Sequence, residues 1–294
     1  MDQRMLTEKF TAMGARVRFA PMAWPRWRGA ELPRVTLDVA SDRKGEFFDI
    51  RVRDDVTLDM EVLDLRRDLR HLLLVDRVAA ESHRYLCGHD ERHWFVAAIP
   101  EAIGANSVVS AFGALQPLEV RKRLMDAHVR RDHRHRRRNE AFVRQGEWFF
   151  VPEPGLEPPP LEILYDEPLS RGIRRSKPHR MEFAYRRGGH RVYVSAERPS
   201  GGTEAEVEQI MRRERQKEAA QEGRPAATSL GELFRRENER RTRHWRMMVQ
   251  DPEVYAKGRI RHPDHATVHL SVWHRVYMNT ENQAAAGGNV VFLD

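Results

Sequence analysis

The sequence predicts an α+β fold with a mainly antiparallel sheet built from hairpins and with three or four helices. Three observations lead to this prediction. Short segments of alternating apolar and polar residues, such as 34–39, recur along the chain and are typical of half-buried strands. Turn residues separate neighbouring segments of this kind, which is the pattern of β-hairpins. Apolar residues at helical spacing occur in a few longer segments.

The strand segments come in neighbouring pairs that predict hairpins. These pairs lie at 34–53, 85–99, 181–194 and 258–278, and a Gly-Gly pair supplies the predicted turn of the third hairpin. Residues 72–75 form a short continuous apolar run instead of an alternating pattern. Such a run favours a central strand that is buried on both faces.

Three segments predict helices. Residues 107–128 carry apolar side chains at helical spacing, and Pro117 is expected to kink this stretch or to start a second helix. The segments 204–222 and 230–250 are each preceded by a threonine or serine with a glutamate three positions later. This spacing is typical of a capping box, which satisfies backbone N–H groups at the start of a helix.

A proline-rich run indicates a boundary between two domains. Residues 152–160 hold five prolines in nine positions, which favours an extended polyproline conformation. The prediction is a mostly β domain over 1–151, ending in a helix and a basic run, followed by an α+β basic region over 161–294. A stiff surface loop inside a single domain is an equally open alternative.

Composition restricts the class of protein. The 294 residues are 40% hydrophobic and 32% charged, which is enough apolar side chain for a folded core. No stretch approaches 18 consecutive apolar residues, so no membrane partner is expected. The first residues lack the apolar core of a secretory signal. Cys87 is the only cysteine, which excludes an internal disulfide and, together with the missing signal, predicts a cytoplasmic protein.

Positive charge is concentrated in the later part of the chain. The net charge is +7, yet residues 1–120 hold 17 Lys and Arg against 19 Asp and Glu. Segment 121–138 alone holds nine Lys and Arg against two Asp. Because guanidinium groups bind phosphates in a bidentate way, this density predicts a nucleic acid partner, RNA or DNA. The alternative is a solvated loop that acidic residues of the first hundred positions partly neutralise.

Two further basic stretches, 171–191 and 234–246, support a nucleic acid partner. Aromatic residues lie within both stretches and can stack on unpaired bases, so RNA or single strands are slightly favoured over duplex. Packing of the same aromatic residues in a core is the alternative. The arginines predicted to contact nucleic acid are Arg130, Arg131, Arg134, Arg136, Arg137, Arg138, Arg144, Arg186 and Arg187.

Histidines and acids cluster at the predicted turns of two hairpins. One cluster lies within 87–93 and the other within 262–274. Imidazole and carboxylate groups are ligands of zinc, and two hairpins that meet at their tips can assemble such a site. Neither spacing matches a zinc finger or a zinc-protease helix. The predicted ligands of a divalent metal such as zinc are His89, Asp90, His93, His262, Asp264 and His265.

Other catalytic motifs are missing from the sequence. It contains no GxSxG elbow, no GxxxxGK[ST] phosphate loop and no GxGxxG fingerprint. Cys87 lies within a predicted strand and is expected to pack in the core, because a lone thiol in a strand is usually a small buried hydrophobe.

Three functions remain open from the sequence. The first is binding of nucleic acid through an arginine-rich surface. The second is a metal-dependent nuclease or related hydrolase, in which the histidines and aspartates hold the ion and the arginines hold phosphates. The third is a scaffold that binds an acidic protein partner through the same basic surface. Catalytic residues, sequence specificity and oligomeric state do not follow from the sequence.

Overall fold

The fold is α+β and its sheets are mostly antiparallel, as the sequence predicts. A computed structural model describes residues 3–22, 34–78, 81–170, 177–195, 201–221 and 245–283. Within these ranges four α-helices and fifteen strands are formed, and hairpins connect many of the strands.

The described elements are named in chain order. The helices are α1 (Gln3–Ala12), α2 (Val108–Ala114), α3 (Leu118–Asp126) and α4 (Glu204–Gln221). The strands are β1 (Val17–Pro21), β2 (Val35–Asp42), β3 (Gly45–Val52), β4 (Met60–Arg66), β5 (His71–Val78), β6 (Glu81–Asp90), β7 (His93–Ile99), β8 (Val143–Gln145), β9 (Trp148–Pro152), β10 (Leu164–Leu169), β11 (His179–Arg187), β12 (His190–Val194), β13 (Arg246–Gln250), β14 (Glu253–His262) and β15 (His265–Met278). Short 3-10 turns lie at Pro160–Glu162 and Thr280–Gln283.

Two sheets form from the first hundred residues. One sheet has the order β1-β3-β2, in which β1 runs parallel to β3, and the other has the order β4-β5-β6-β7. The hairpins predicted over 34–53 and 85–99 are confirmed as β2–β3 and β6–β7. One face of the second sheet packs with α1 and the first sheet in a shared apolar cluster, which includes Phe10 and Phe48 at 4.9 Å between ring centroids.

Strand β5 is buried on both faces, as its continuous apolar run predicts. Leu72 and Leu74 point into the cluster that α1 shares, whereas Leu73 packs on the other side with Val108 and Ala111 of α2. All three leucines are fully buried. A strand with apolar side chains on both faces therefore becomes the layer between two cores.

The prediction of a helical stretch interrupted at Pro117 is confirmed. Ser107 caps α2 through a capping box with Ser110, and the Val108 N–H donates to Asp64 Oδ2 at 2.8 Å. Pro117 is the N-cap of α3, a position where its missing N–H costs nothing. The following segment 129–138 has no regular secondary structure and returns the chain to β8.

The largest sheet has six strands in the order β10-β11-β14-β15-β9-β8. The predicted hairpin at 258–278 is confirmed as β14–β15, with β14 beginning earlier, at Glu253. Strand β9 pairs with the second half of β15, although the proline-rich run 152–160 separates it from the later strands in sequence. This run therefore links two strands of one sheet. The division of the chain into two domains stays a prediction.

The predicted hairpin over 181–194 is wrong. Strand β11 pairs with β10 and β14 in the six-stranded sheet, whereas β12 pairs with β13 in a separate two-stranded sheet. Gly188 and Gly189 both adopt positive φ, at 68° and 86°, and redirect the chain between the two sheets. A Cβ at Gly189 would lie 2.7 Å from the Gln250 carbonyl oxygen, so this turn requires glycine.

The helix predicted over 230–250 is wrong in its last part. Residues 246–250 form β13, which pairs with β12 over its whole length. The short apolar run from Met247 to Val249 is compatible with a strand as well as with a helix, and pairing with β12 decides between the two. Residues 222–244 and the apolar tail 290–293 lie outside the described residues. The helix predicted over 204–222 is confirmed as α4.

Gly88→Ala is expected to destabilise the protein by about 1–3 kcal/mol, the usual cost of overpacking a core. Gly88 lies opposite His71 on the neighbouring strand, and an added Cβ would overlap the ring of this buried histidine. Urea unfolding measures the effect. Gly104→Ala is the control, because nothing lies within 4 Å of the added Cβ. Equal unfolding midpoints for the two variants would contradict the packing described.

Candidate metal site and cavity

Two hairpin tips distant in sequence meet in the structure. Glu91, in the β6–β7 turn, accepts a hydrogen bond at Oε2 from the Ala266 N–H at 2.7 Å. The same carboxylate oxygen lies 3.6 Å from His265 Nδ1. His93 Nε2 lies 3.8 Å from Asp264 Oδ1, in the turn of the other hairpin. The two histidine-rich segments of the sequence therefore lie side by side.

Arginines of the 129–144 region hold the first tip in place. Arg137 donates to Asp90 and contacts Glu91, and Arg144 Nη2 lies 3.7 Å from Asp90 Oδ1. The sequence predicts that both arginines contact nucleic acid. In the structure their guanidinium groups already have close anionic partners, the carboxylates of the hairpin tip.

A cavity of about 420 Å³ opens between the two hairpins, α2 and β8–β9. One side is apolar and largely aromatic, whereas the other carries titratable groups. The apolar side includes Leu86, Phe95, Phe112, Leu115, Phe142 and Phe149. The polar side includes Asp90, His93, Arg144, His262, Asp264 and His265. A mostly apolar pocket with a few converging polar groups is the usual form of a ligand site.

Three histidines converge at the polar side of the cavity. His262 ends β14, His265 begins β15, and His179 begins β11. One nitrogen from each ring lies within 4.8 Å of the others. The ring centroids of His179 and His262 are 4.2 Å apart, and those of His262 and His265 are 4.7 Å apart. His262 and His265 line the cavity, and His179 is buried beside them.

Gly146 makes room for two of these rings. It has φ of +57° in the β8–β9 turn, and it lines the cavity. A Cβ at this position would lie 2.9 Å from His265 Nε2 and 3.5 Å from His179 Nε2. Both Nε2 atoms therefore face the same backbone, which a side chain at position 146 would push away.

Backbone groups position the other members of the site. The Asp264 N–H donates to His262 Nδ1 at 3.1 Å, and His262 Nε2 lies 3.1 Å from the Lys177 carbonyl oxygen. Burial, followed by the neighbouring His262, lowers the pKa of His265, which favours the neutral ring that a metal requires. The Gln145 side-chain amide donates to the carbonyls of Ile260 and Ala266, and so fixes the hairpin that carries both histidines.

The triad contains two of the six ligands predicted from the sequence, His262 and His265. The other four have different contacts. His89 packs edge-on against Trp94, at 4.9 Å between ring centroids, and Asp90 lies against the two arginines. His93 Nδ1 lies 2.6 Å from Glu46 Oε1. Asp264 accepts a hydrogen bond from Lys177 Nζ at 2.8 Å.

Sequence reasoning missed His179, because it stands alone in an arginine-rich stretch. The register of β11 and β14 pairs Arg180 with Arg261, so His179 falls next to His262 across the two strands. A prediction that the segments around residues 180 and 260 pair as strands would have identified His179 as a neighbour of His262. Hydrophobic patterning does not specify which strands are neighbours.

The arginines predicted to contact nucleic acid divide into two groups. Some have protein partners: Arg134 Nε donates to the Val129 carbonyl, Arg186 to Glu167, and Arg187 to Glu253 and Tyr255. Arg137 and Arg144 join this group through Asp90. Others are exposed on the 129–138 segment, and these are Arg130, Arg131, Arg136 and Arg138. Of these, Arg130 pairs with Asp132 and Arg138 donates to the His269 carbonyl.

Cys87 packs as predicted. It is completely buried in the cluster that α1 shares with the first two sheets. Burial strongly raises the pKa of its thiol, which keeps it protonated at neutral pH.

Comparisons with models of protein families, with curated proteins and with solved structures found no match. Among the described residues, no helix has the length and hydropathy needed to cross a membrane.

Acidification below about pH 6.5 is expected to destabilise the protein. Burial lowers the pKa of five histidines from the usual 6.5, and these are His71, His89, His135, His265 and His274. Below 6.5 the unfolded chain binds protons that the folded chain does not, so stability is complete above 6.5 and falls as pH decreases. The slope is at most about 1.4 kcal/mol per pH unit for each such histidine.

Urea unfolding between pH 7.5 and 5 measures this slope. Carboxyl groups act at lower pH, since the hydrogen bond from Arg16 lowers the pKa of Asp42 to about 2. His71→Gln should give a shallower slope, because its amide can replace the ring N–H that faces the Leu69 carbonyl without titrating. A stability that stays level or increases on acidification would show that these rings are not buried as described.

Proposed function

We propose that the His179, His262 and His265 triad holds one divalent transition metal and that the protein is a metal-dependent hydrolase acting in the adjoining cavity. The observation that carries this proposal is the convergence of three imidazole nitrogens within 4.8 Å at the cavity wall. Three histidines are a ligand set of catalytic zinc sites, which keep a fourth position open. A metal held in this way supplies a Lewis acid at the polar side of the cavity.

The energetics favour metal over the hydrogen bonds that the histidines make. At Zn–N bonds of about 2.1 Å, tetrahedral nitrogens lie about 3.4 Å apart, so the triad needs to contract by roughly an ångström. His262 would also give up one contact of 3.1 Å, either that of Nδ1 with the Asp264 N–H or that of Nε2 with the Lys177 carbonyl. A hydrogen bond contributes about 1 kcal/mol net, whereas structural zinc binds peptides with about 10–16 kcal/mol.

His93 is the group best placed to accept a proton in this cavity. Its Nδ1 faces Glu46 Oε1 at 2.6 Å, and Glu46 Oε2 accepts from the Trp94 N–H at 2.8 Å. The carboxylate is therefore fixed twice and orients the ring, with Nδ1 toward Glu46 and Nε2 toward Asp264. This pairing of an imidazole with an orienting carboxylate is typical of general bases.

Isothermal titration of the metal-stripped chain with zinc is expected to show one site that depends on the triad. His179→Ala and His265→Ala should each weaken binding by more than the roughly 10- to 100-fold loss that outer-shell changes cause. His269→Ala is the matched control, because His269 is an exposed histidine on the same strand as His265. The hydrolase proposal fails if zinc, manganese and nickel all bind the parent and the triad variants equally, or do not bind.

Binding of nucleic acid through the exposed arginines is a second candidate function. Arg131 and Arg136 are exposed, and no carboxylate of the described residues forms an ion pair with either guanidinium. They lie on the segment that also carries His135, a residue of the cavity wall. Exposed guanidinium groups on a segment without regular structure can reach phosphates without breaking an internal ion pair.

The double variant Arg131→Ala with Arg136→Ala is expected to weaken RNA binding and to reduce its salt dependence. Each phosphate contact on a single strand contributes about −0.7 to the log–log salt slope, so the slope should shrink by about one to one and a half units. Arg187→Ala is the contrast variant, since Glu253 already binds that guanidinium. Fluorescence anisotropy with labelled RNA between 50 and 200 mM salt, roughly the range in which such contacts are resolved, provides the measurement.

Two outcomes would remove the nucleic acid candidate. In the first, the parent protein binds neither RNA nor DNA at low salt, and a scaffold for an acidic protein partner becomes the better explanation of the exposed arginines. Alternatively, the double variant keeps the affinity and the slope of the parent, and the exposed segment is then a solvated loop.

A further inference from the structure

Three residues that line the cavity each carry a buried polar atom with no hydrogen-bond partner among the described residues. These atoms are Arg144 Nε, His135 Nδ1 and His265 Nδ1. An unsatisfied buried polar group costs about 1–3 kcal/mol, and native structures contain few of them. Three such groups around one cavity leave hydrogen-bonding capacity beside it that the described residues do not use.

Arg144 retains binding capacity for an anion. Its Nη2 is 3.7 Å from Asp90 Oδ1, which is long for a hydrogen bond, and Arg137 donates to the same carboxylate oxygen at closer range. Burial lowers the pKa of Arg144, yet a guanidinium remains charged in proteins. Because Arg137 already binds Asp90, a second anion would stabilise the guanidinium of Arg144.

His135 presents a flat, uncharged surface beside this arginine. Its ring stacks on Phe112 with centroids 5.6 Å apart and an interplanar angle of 28°. Burial, followed by Arg144 and Arg134, lowers the pKa of His135, so the ring is neutral at pH 7. A neutral imidazole without a hydrogen bond at Nδ1 can meet one polar group without adding charge to the cavity.

Aromatic side chains also line the cavity. Phe112, Phe142 and Phe149 are among them, and Phe142 and Phe149 pack against each other edge-to-face, with centroids 5.1 Å apart. Aromatic faces and edges of this kind pack well against another flat ring. The cavity volume of about 420 Å³ is in the range of small-molecule sites and too small for a folded polymer.

We propose that the cavity binds a small flat aromatic molecule with a single carboxylate, which the guanidinium of Arg144 binds while the ring packs against the phenylalanines of the cavity. This assignment rests on the proposed function, because the same cavity borders the histidine triad. A dianion such as phosphate fits less well, since Asp90, Glu147, Asp264 and Glu281 also line the cavity and repel added negative charge. A monoanion matches the one guanidinium that faces it.

The test uses the full chain, stripped of metal with EDTA, and two probes that differ only in charge. 2-Naphthoate is the anionic probe and 2-naphthamide is its neutral counterpart, and titration calorimetry measures both affinities. Naphthoate should bind about tenfold more tightly or better, as expected for a hydrogen bond to a charged group. Arg144→Gln should remove most of this difference and leave naphthamide binding nearly unchanged, whereas the exposed Arg131→Gln should change neither affinity.

A second variant covers the case in which Arg144→Gln disturbs the hairpin contact with Asp90. Ala97 is buried at the cavity wall, and Ala97→Leu places extra volume there without altering any charge. It should weaken both probes at least about tenfold while the protein stays folded by circular dichroism. The proposal is overturned if neither probe binds the parent, if both bind equally well, or if Ala97→Leu binds like the parent.

The test separates this inference from the metal proposal. His179→Ala removes a triad member that does not line the cavity, so it should leave naphthoate binding to the metal-stripped protein unchanged. If zinc fails to bind but naphthoate binds as expected, the cavity inference stands and the hydrolase proposal falls. If zinc binds and naphthoate does not, the reverse holds.

Discussion

The contact between the β6–β7 and β14–β15 hairpin tips determines the rest of the site. Glu91 is its centre, because this carboxylate accepts the Ala266 N–H, lies close to His265 and receives Arg137. Each of these interactions ties a different part of the chain to one turn. Without the contact, the cavity would lose part of its polar side, and His93 and Asp264 would no longer face each other. The positive φ of Glu91, 50°, is the local cost of directing its side chain there.

The arginine-rich segment has a structural role that its composition did not indicate. A run of like charges predicts an external anionic partner, but Arg137 of this run finds its anions within the chain. Together with Arg144 of β8, it neutralises Asp90 and Glu91, which would otherwise lie close together beside a mostly apolar cavity. Buried carboxylates need such partners, because an unpaired charge in an apolar environment is very unfavourable. The exposed arginines of the same segment remain available for an external partner.

Local patterns in the sequence predicted the elements that local forces determine. The alternation in 34–53, the apolar run at 72–75 and the proline at 117 all gave the observed strands and helices, because each pattern reflects burial or backbone geometry within a few residues. Patterns failed where pairing over long distances decides. The Gly-Gly turn at 188–189 resembles a hairpin turn, yet its two strands join different sheets. His179 entered the triad through strand pairing, which no spacing within its own segment encodes.

The origin of the cavity residues also affects how the protein folds. The walls of the cavity are formed by β7, α2, β8–β9 and the β14–β15 turn. These segments lie far apart in the sequence. Contacts between such distant segments carry a large loop-closure entropy and form late in folding. The aromatic wall therefore stays open to water in partly folded chains, where it can associate with other exposed apolar surfaces. The cavity is complete only once β14–β15 have joined the six-stranded sheet, so a ligand of the cavity stabilises the finished fold and not the partly folded chains that precede it.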